Sequence, residues 1–385
     1  MRNTTGVDRE KMREVVGKRI VWAPKAPKIA LIGCLSAVLA CGAWQVGAQT
    51  PTVHEWTVAT PHTPAVPWVS VLRDFFIPEF KRRAARRPGF QVDFYPAWGG
   101  SLVRWGDGLE AVEIGLADLG FVGTLWESSK LPLQNVTYSL PFITDDLGAL
   151  LNSVNALHRE VPALEATWRE YKQVFLGAAG VDTYHLFTNF PIRTLDDLKG
   201  RKILAPGVSA LWLRGTGAVA VDGALSTYYT QLRTGVADGA VSIATGIYPY
   251  GIHEVAPYLT LVGIGAQWVG ALTINENVWD NLPGEIQLEL KTLGEAYTRK
   301  VAEIVEQRRS KAVAAMIDEG VEVSVLPAAE KRRWIDGLPQ LGREWVTRNE
   351  ARQLPARELL DVLMRKLKEQ GALISTDWTQ TLEAR

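Results

Sequence analysis

One helical pattern in this chain is longer than a small domain is wide. Over residues 283–319, Ile286, Leu290, Leu293, Tyr297, Val301, Ile304 and Val305 recur at helical spacing, and Gly320 ends the run. Pro283 stands near the first turn, where its missing N–H costs nothing. At 1.5 Å per residue this helix extends on the order of 50 Å. A helix of that reach runs across two lobes, so the chain is expected to fold as two units along a common spine.

Each unit repeats one grammar. Residues 56–60 read as a strand, 68–86 as a helix, 90–95 as a strand, 106–114 as a helix and 119–122 as a strand. Further on, 173–178, 183–188, 202–204 and 219–221 read as strands, with helical pieces at 194–199, 211–214 and 227–234. Another strand begins at 241, and 321–326 is extended after the long helix. This alternation predicts an α/β fold with parallel sheets under helical cover. Residues 330–346 and 356–370, rich in Arg, Lys and Glu, read as terminal helices.

The first 48 residues have a different character. Eight basic residues precede or border the uncharged run 29–44, and Val46-Gly47-Ala48 follows as a small-residue site. That order reads as a secretory signal cut near Ala48/Gln49, placing the mature chain in the periplasm. The apolar run is short for a membrane span, which needs about 20 residues. Alternatively, Val38-Leu39-Ala40-Cys41 reads as a lipidation box that would tether the protein at Cys41. Both cysteines, Cys34 and Cys41, lie in this segment, so the mature chain offers no thiol for disulfides, metal ligation or catalysis.

Several function classes fall away. Forty-two basic residues balance 42 acidic ones, without the basic excess of a nucleic-acid binder. No Gly-x-Ser-x-Gly elbow is present. Residues 215–220, Gly-Thr-Gly-Ala-Val-Ala, match a dinucleotide fingerprint in letters only, because they follow a helix and open a strand. They read better as a helix C-cap. His54, His62, His158, His185 and His253 are scattered, without the close pairing of a zinc site. Asp196 and Asp197 read as first-turn residues of a short helix. No cofactor or catalytic set is expected.

Three segments carry a resemblance. TLDDLKGRKI at 194–203, YTQLRTGVADG at 229–239 and LEAVEIGLAD at 109–118 occur in this order with LPF at 140–142. Asn281-Leu282-Pro283 then opens the long helix. The ordered set resembles the periplasmic solute-binding proteins of TRAP transporters, the DctP-type family. The resemblance implies a two-lobe, type II-like periplasmic binding protein that is not an enzyme. One lobe would comprise about 53–178 plus 268–310, the other about 179–267 plus 311–385. It also implies closure on a small organic molecule and delivery to TRAP membrane subunits driven by a sodium gradient. The receptor would be a monomer or a homodimer. A secreted enzyme or a sensory receptor built on the same fold are the competing readings.

Departures from the family pattern bear on the ligand. The position where relatives place a carboxylate-binding Arg holds Leu204 here. A second such Arg position falls on Tyr184, the family Asn on Ser242 and the family Glu on Thr227. A forked Arg–carboxylate pair contributes roughly 1.5–3 kcal/mol, which leucine cannot supply. Either the ligand lacks a carboxylate, as a neutral aromatic or an amine would, or another Arg has moved in. Arg104 and Arg214 are the candidates for the second case. His62, in the loop ending the first strand, and Trp98, Trp126 and Trp268, near loop or strand ends, complete the expected site. Trp105 belongs to the same loop as Arg104.

Overall fold

A computed structural model describes residues 52–104, 106–338 and 340–383. The signal segment, the alternative lipid site at Cys41 and Trp105 lie outside them. Eleven described strands form two sheets, ordered β2-β1-β3-β10-β4 and β11-β9-β5-β8-β6-β7. The first contains β1 (Thr52–Ala59), β2 (Phe90–Ala97), β3 (Leu119–Gly123), β4 (Gln173–Val181) and β10 (Gln267–Asn275). The second contains β5 (His185–Thr188), β6 (Lys202–Leu204), β7 (Val219–Val221), β8 (Gly239–Ser242), β9 (Tyr258–Leu261) and β11 (Glu322–Val325).

The sheets are mixed, where the strand–helix alternation predicts parallel ones. β1, β2 and β3 run parallel, but β10 lies antiparallel between β3 and β4. β5 is antiparallel to both β8 and β9. The cause is that the chain crosses between sheets along extended segments. It leaves the first sheet at 182–184 and returns at 262–266, so the returning strand meets its neighbours head to tail. The two crossings are tied together: Tyr184 N–H donates to Gly265 O (3.3 Å) and Ile264 N–H to Tyr184 O (3.0 Å). Every residue of β4 and β10 is buried, as expected for strands covered on both faces.

The helices are α1 (67–84), α2 (Gly108–Glu113), α3 (Leu147–Glu160), α4 (Pro162–Glu170), α5 (Leu225–Arg233), α6 (Gly284–Asp318), α7 (Ala328–Asp336), α8 (Gln340–Glu350), α9 (Ala356–Glu369) and α10 (Trp378–Glu383), with shorter helical turns between. α1 carries a wide π turn over Leu72–Phe76, just before Pro78, which has no N–H to continue the ladder. The helix expected over 330–346 is instead two helices. The first ends at Asp336 with Gly337 after it, and the second begins at Gln340.

α6 is the expected spine, 35 residues long. Its first part buries Ile286, Leu290, Leu293, Tyr297, Val301 and Val305 in the core of the first sheet. Its last part buries Ala312 and Met316 in a separate core with Phe187, Leu204, Tyr228 and Leu259 of the second. β4 is the outer strand of its sheet, and α6 covers that edge. Lys291 Nζ donates to Phe175 O (2.6 Å) and Thr298 Oγ1 to Ala178 O (2.8 Å). Glycines allow the close approach: a Cβ on Gly294 would stand 2.1 Å from Leu176 O. The block 311–385 is shared between the two sheets. In α7, Arg333 pairs with Asp196 (2.8 Å) beside β6, whereas α9 packs on α3 through Glu160–Lys366 (2.6 Å) and the buried Leu359, Leu360 and Leu363. No helix among the described residues is long and apolar enough to cross a membrane.

Candidate ligand-binding cavity

Between the two sheets lies a cavity of about 40 Å³, lined by residues from both. It sits beyond the carboxyl ends of β1, β3, β6 and β8, where open α/β sheets leave a crevice. From the first sheet come His62 and Trp68, on the loop and helix after β1, and Leu125 and Trp126, on the turn after β3. From the second come Pro206 after β6, Tyr228 on α5, and Ser242 and Ile243 at the end of β8. Tyr184, on the outgoing crossing, closes it with Tyr138.

Local contacts hold these side chains in place. Thr60 Oγ1 donates to His62 O (2.6 Å), and so does Gly99 N–H (2.9 Å), fixing the loop. The His62 ring meets Trp68 edge-on at 5.0 Å. Gly123 leaves room for the Trp126 ring, which a Cβ there would meet at 3.0 Å. Tyr138 stacks on Trp212 at 5.7 Å, and Trp212 Nε1 donates to Tyr138 O (2.6 Å). The hydroxyls of Tyr138 and Tyr184 are 2.9 Å apart and share a hydrogen bond.

The cavity is electrically neutral. No Arg, Lys, Asp or Glu lines it among the described residues. Burial pushes the His62 imidazole down to about 3, so the ring is uncharged at neutral pH. Burial also raises the Tyr138, Tyr184 and Tyr228 phenols, which stay protonated. Aromatic faces and a few hydroxyl or N–H groups are what the walls offer.

Of the ten residues expected from the sequence, His62, Trp126, Tyr184 and Ser242 are brought together here. The other six lie elsewhere. Leu204 is fully buried behind the wall, in the second core. Thr227 is exposed and caps α5, donating to Ala224 O (3.0 Å) and accepting from Ala224 N–H (3.2 Å). Trp98 is half-buried and packs on the first core. Trp268 is fully buried in β10, its Nε1 donating to Gly270 O (2.8 Å). Its neighbour Val269 lines the cavity instead, at a bulge where the register of β10 against β4 shifts. Arg104 is exposed and does not line the cavity. Arg214 is on the surface, paired with Glu344 at 2.7 Å. Neither arginine lines the cavity. Trp68, Tyr138 and Tyr228 were not expected. Tyr138 stands two residues before the LPF segment and Tyr228 opens the segment before YTQLRTG, but nothing local marks either ring as facing inward.

The profile of the family described as bacterial extracellular solute-binding protein, family 7 (DctP), matches residues 79–349, well over half of the chain. The chain belongs to this family. This family 7 protein is 26% identical over 275 residues to the C4-dicarboxylate-binding periplasmic protein DctP of Rhodobacter capsulatus, covering 69% of this chain and 79% of that one. Its fold matches a TRAP periplasmic solute-binding protein from Desulfovibrio salexigens with a TM-score of 0.71 at 22% identity, over 82% of this chain and 96% of the other. It also matches a TRAP solute-binding protein from Rhodoferax ferrireducens in complex with copurified benzoate, with a TM-score of 0.73 at 17% identity, over 82% and 98% of the two chains. The family match bears out the DctP-type membership that the ordered motifs implied, and the two-lobe fold is shared with TRAP periplasmic solute-binding proteins.

Proposed function

We propose that this family 7 protein captures one small organic molecule in the cavity and delivers it to TRAP membrane subunits for sodium-coupled uptake. The observation that carries the reading is a cavity walled by both sheets, beside the segments that cross between them. The relatives' names point the same way, since one binds C4-dicarboxylates and another copurified with benzoate. The two sheets with their helices would be the lobes. The crossings 182–184 and 262–266, with α6, would be the hinge about which ligand contacts to both lobes favour closure. Export through the N-terminal signal would free the chain near Gln49.

The test is native mass spectrometry of the chain from Gln49, purified without denaturation. One bound small molecule is expected, released with unchanged mass, as a receptor requires and an enzyme does not. Tyr184→Ala should lower its occupancy at least tenfold. Arg214→Ala removes only a surface ion pair, worth about 0–1 kcal/mol of stability, and should leave occupancy unchanged. The reverse pattern would move the binding site away from this cavity.

A further inference from the structure

We propose that the molecule bound here is uncharged, carries a ring and presents a hydrogen-bond-accepting oxygen. This inference rests on the receptor reading and specifies its ligand. Trp68, Trp126, Tyr138, Tyr184 and Tyr228 surround the cavity, so flat apolar surface is its main offering.

A carboxylate finds no countercharge there. The lining holds no cationic side chain among the described residues, and Arg104 and Arg214 lie outside it. The buried charge beside the wall has the wrong sign for an anion. Asp182 follows the lining residue Val181, is itself buried, and accepts from Ala244 N–H (3.0 Å) and the Thr245 hydroxyl. Its negative charge acts on Tyr184, which lines the cavity. Bringing an unpaired carboxylate out of water into such a place is strongly unfavourable.

An ammonium group fits the field but not the hydrogen bonding. The Trp68 indole N–H is buried and donates to no atom of the described protein. An indole N–H can only donate. An ammonium group, also donor-only, leaves it unsatisfied, whereas a carbonyl, ether or hydroxyl oxygen completes it. Ser242 adds a hydroxyl to the same lining.

The experiment uses the chain from Gln49, unfolded and refolded to remove any carried molecule. Ring compounds are presented in three charge states: benzamide, benzoate and benzylamine, and the same triad on cyclohexane, pyridine and indole. The uncharged member should raise the melting temperature most, by on the order of 5 °C at saturating concentration. Trp68→Phe should weaken binding of that member about three- to tenfold. A larger shift from a carboxylate or an amine than from its amide overturns the ligand class, as does unchanged affinity in Trp68→Phe. The wild-type comparison decides the matter even if that variant folds poorly. A charged copurified molecule would overturn this inference and leave the receptor reading standing. No shift from any member, with no copurified molecule, would overturn both.

Discussion

Gly294→Val is expected to destabilise the protein by about 3–5 kcal/mol, measured as the loss in urea-unfolding free energy. The cause is backbone against backbone. A Cβ on Gly294 would lie 2.1 Å from Leu176 O, and the facing Gly177 would place its own Cβ 2.3 Å from Gly294 O. No rotamer relieves such a contact, so α6 must lift from β4. Lifting it also breaks the bonds from Lys291 to Phe175 O and from Thr298 to Ala178 O. Gly284→Ala, at the exposed start of the same helix with nothing within 4 Å of the added carbon, should change stability by no more than about 0.5 kcal/mol. A loss below about 1 kcal/mol for Gly294→Val would mean that the spine is not seated on glycines.

Acid should unfold this protein early, with about 4 kcal/mol of stability lost between pH 7.5 and 5. Three buried histidines are responsible. Burial lowers His62 and His158 to about 3 and His185 to about 4, from an ordinary value of 6.5. For two of them the hydrogen bonds give the same answer. His158 Nε2 accepts from Trp168 Nε1–H (3.0 Å) while Nδ1 donates to Val154 O (2.9 Å), so its ring has no place for a second proton. His185 Nδ1 accepts from the N–H groups of Val262 (3.1 Å) and Gly263 (3.2 Å). As pH falls below 6.5 the unfolded chain takes up protons that the folded chain refuses, so stability falls with pH. At pH 5 each histidine contributes about 2 kcal/mol of loss. Asp182 acts in the opposite sense. Burial raises its carboxyl to about 6, so the folded chain holds a proton between roughly pH 4 and 6 that the unfolded chain releases. That returns about 1–2 kcal/mol by pH 5. Urea midpoints for the ligand-free chain at the two pH values measure the net effect. Stabilities equal to within 1 kcal/mol would show that these imidazoles titrate normally.

The sequence was most legible where local chemistry is decisive. The long helix was bounded to within one residue at each end, because Pro283 and Gly320 punctuate an unbroken stripe. β6 was read at Lys202–Leu204 because Gly200 and Pro206 flank it. Strand direction was not legible. Nothing in residues 267–275 says that they return from a second sheet to run against β3 and β4. The site divides the same way. His62 and Trp126 were read from their places at loop or strand ends and Ser242 from the family pattern, and all three line the cavity. Trp268 lies in the core and Val269 at the cavity because β10 is bulged between Trp268 and Gly270, and a bulge is set by the sheet rather than by the local sequence. Tyr228 lines the cavity and Tyr229 does not, a matter of how α5 is rotated on its sheet.

The cover that α6 gives to β4 has a consequence for the order in which the protein can be made. β4 is complete at residue 181, but the side chains that cap its edge come from residues 291 and 298, more than a hundred positions later. Until they arrive, Gln173–Val181 is an apolar, glycine-containing strand with unpaired carbonyls, a template on which a second chain can add. The half-made protein is therefore stickier than the finished one. A chain ending before residue 284 should collect in the insoluble fraction while one ending after residue 318 keeps its edge sealed. The helix that spans both sheets thus also decides when this edge is closed to a second chain.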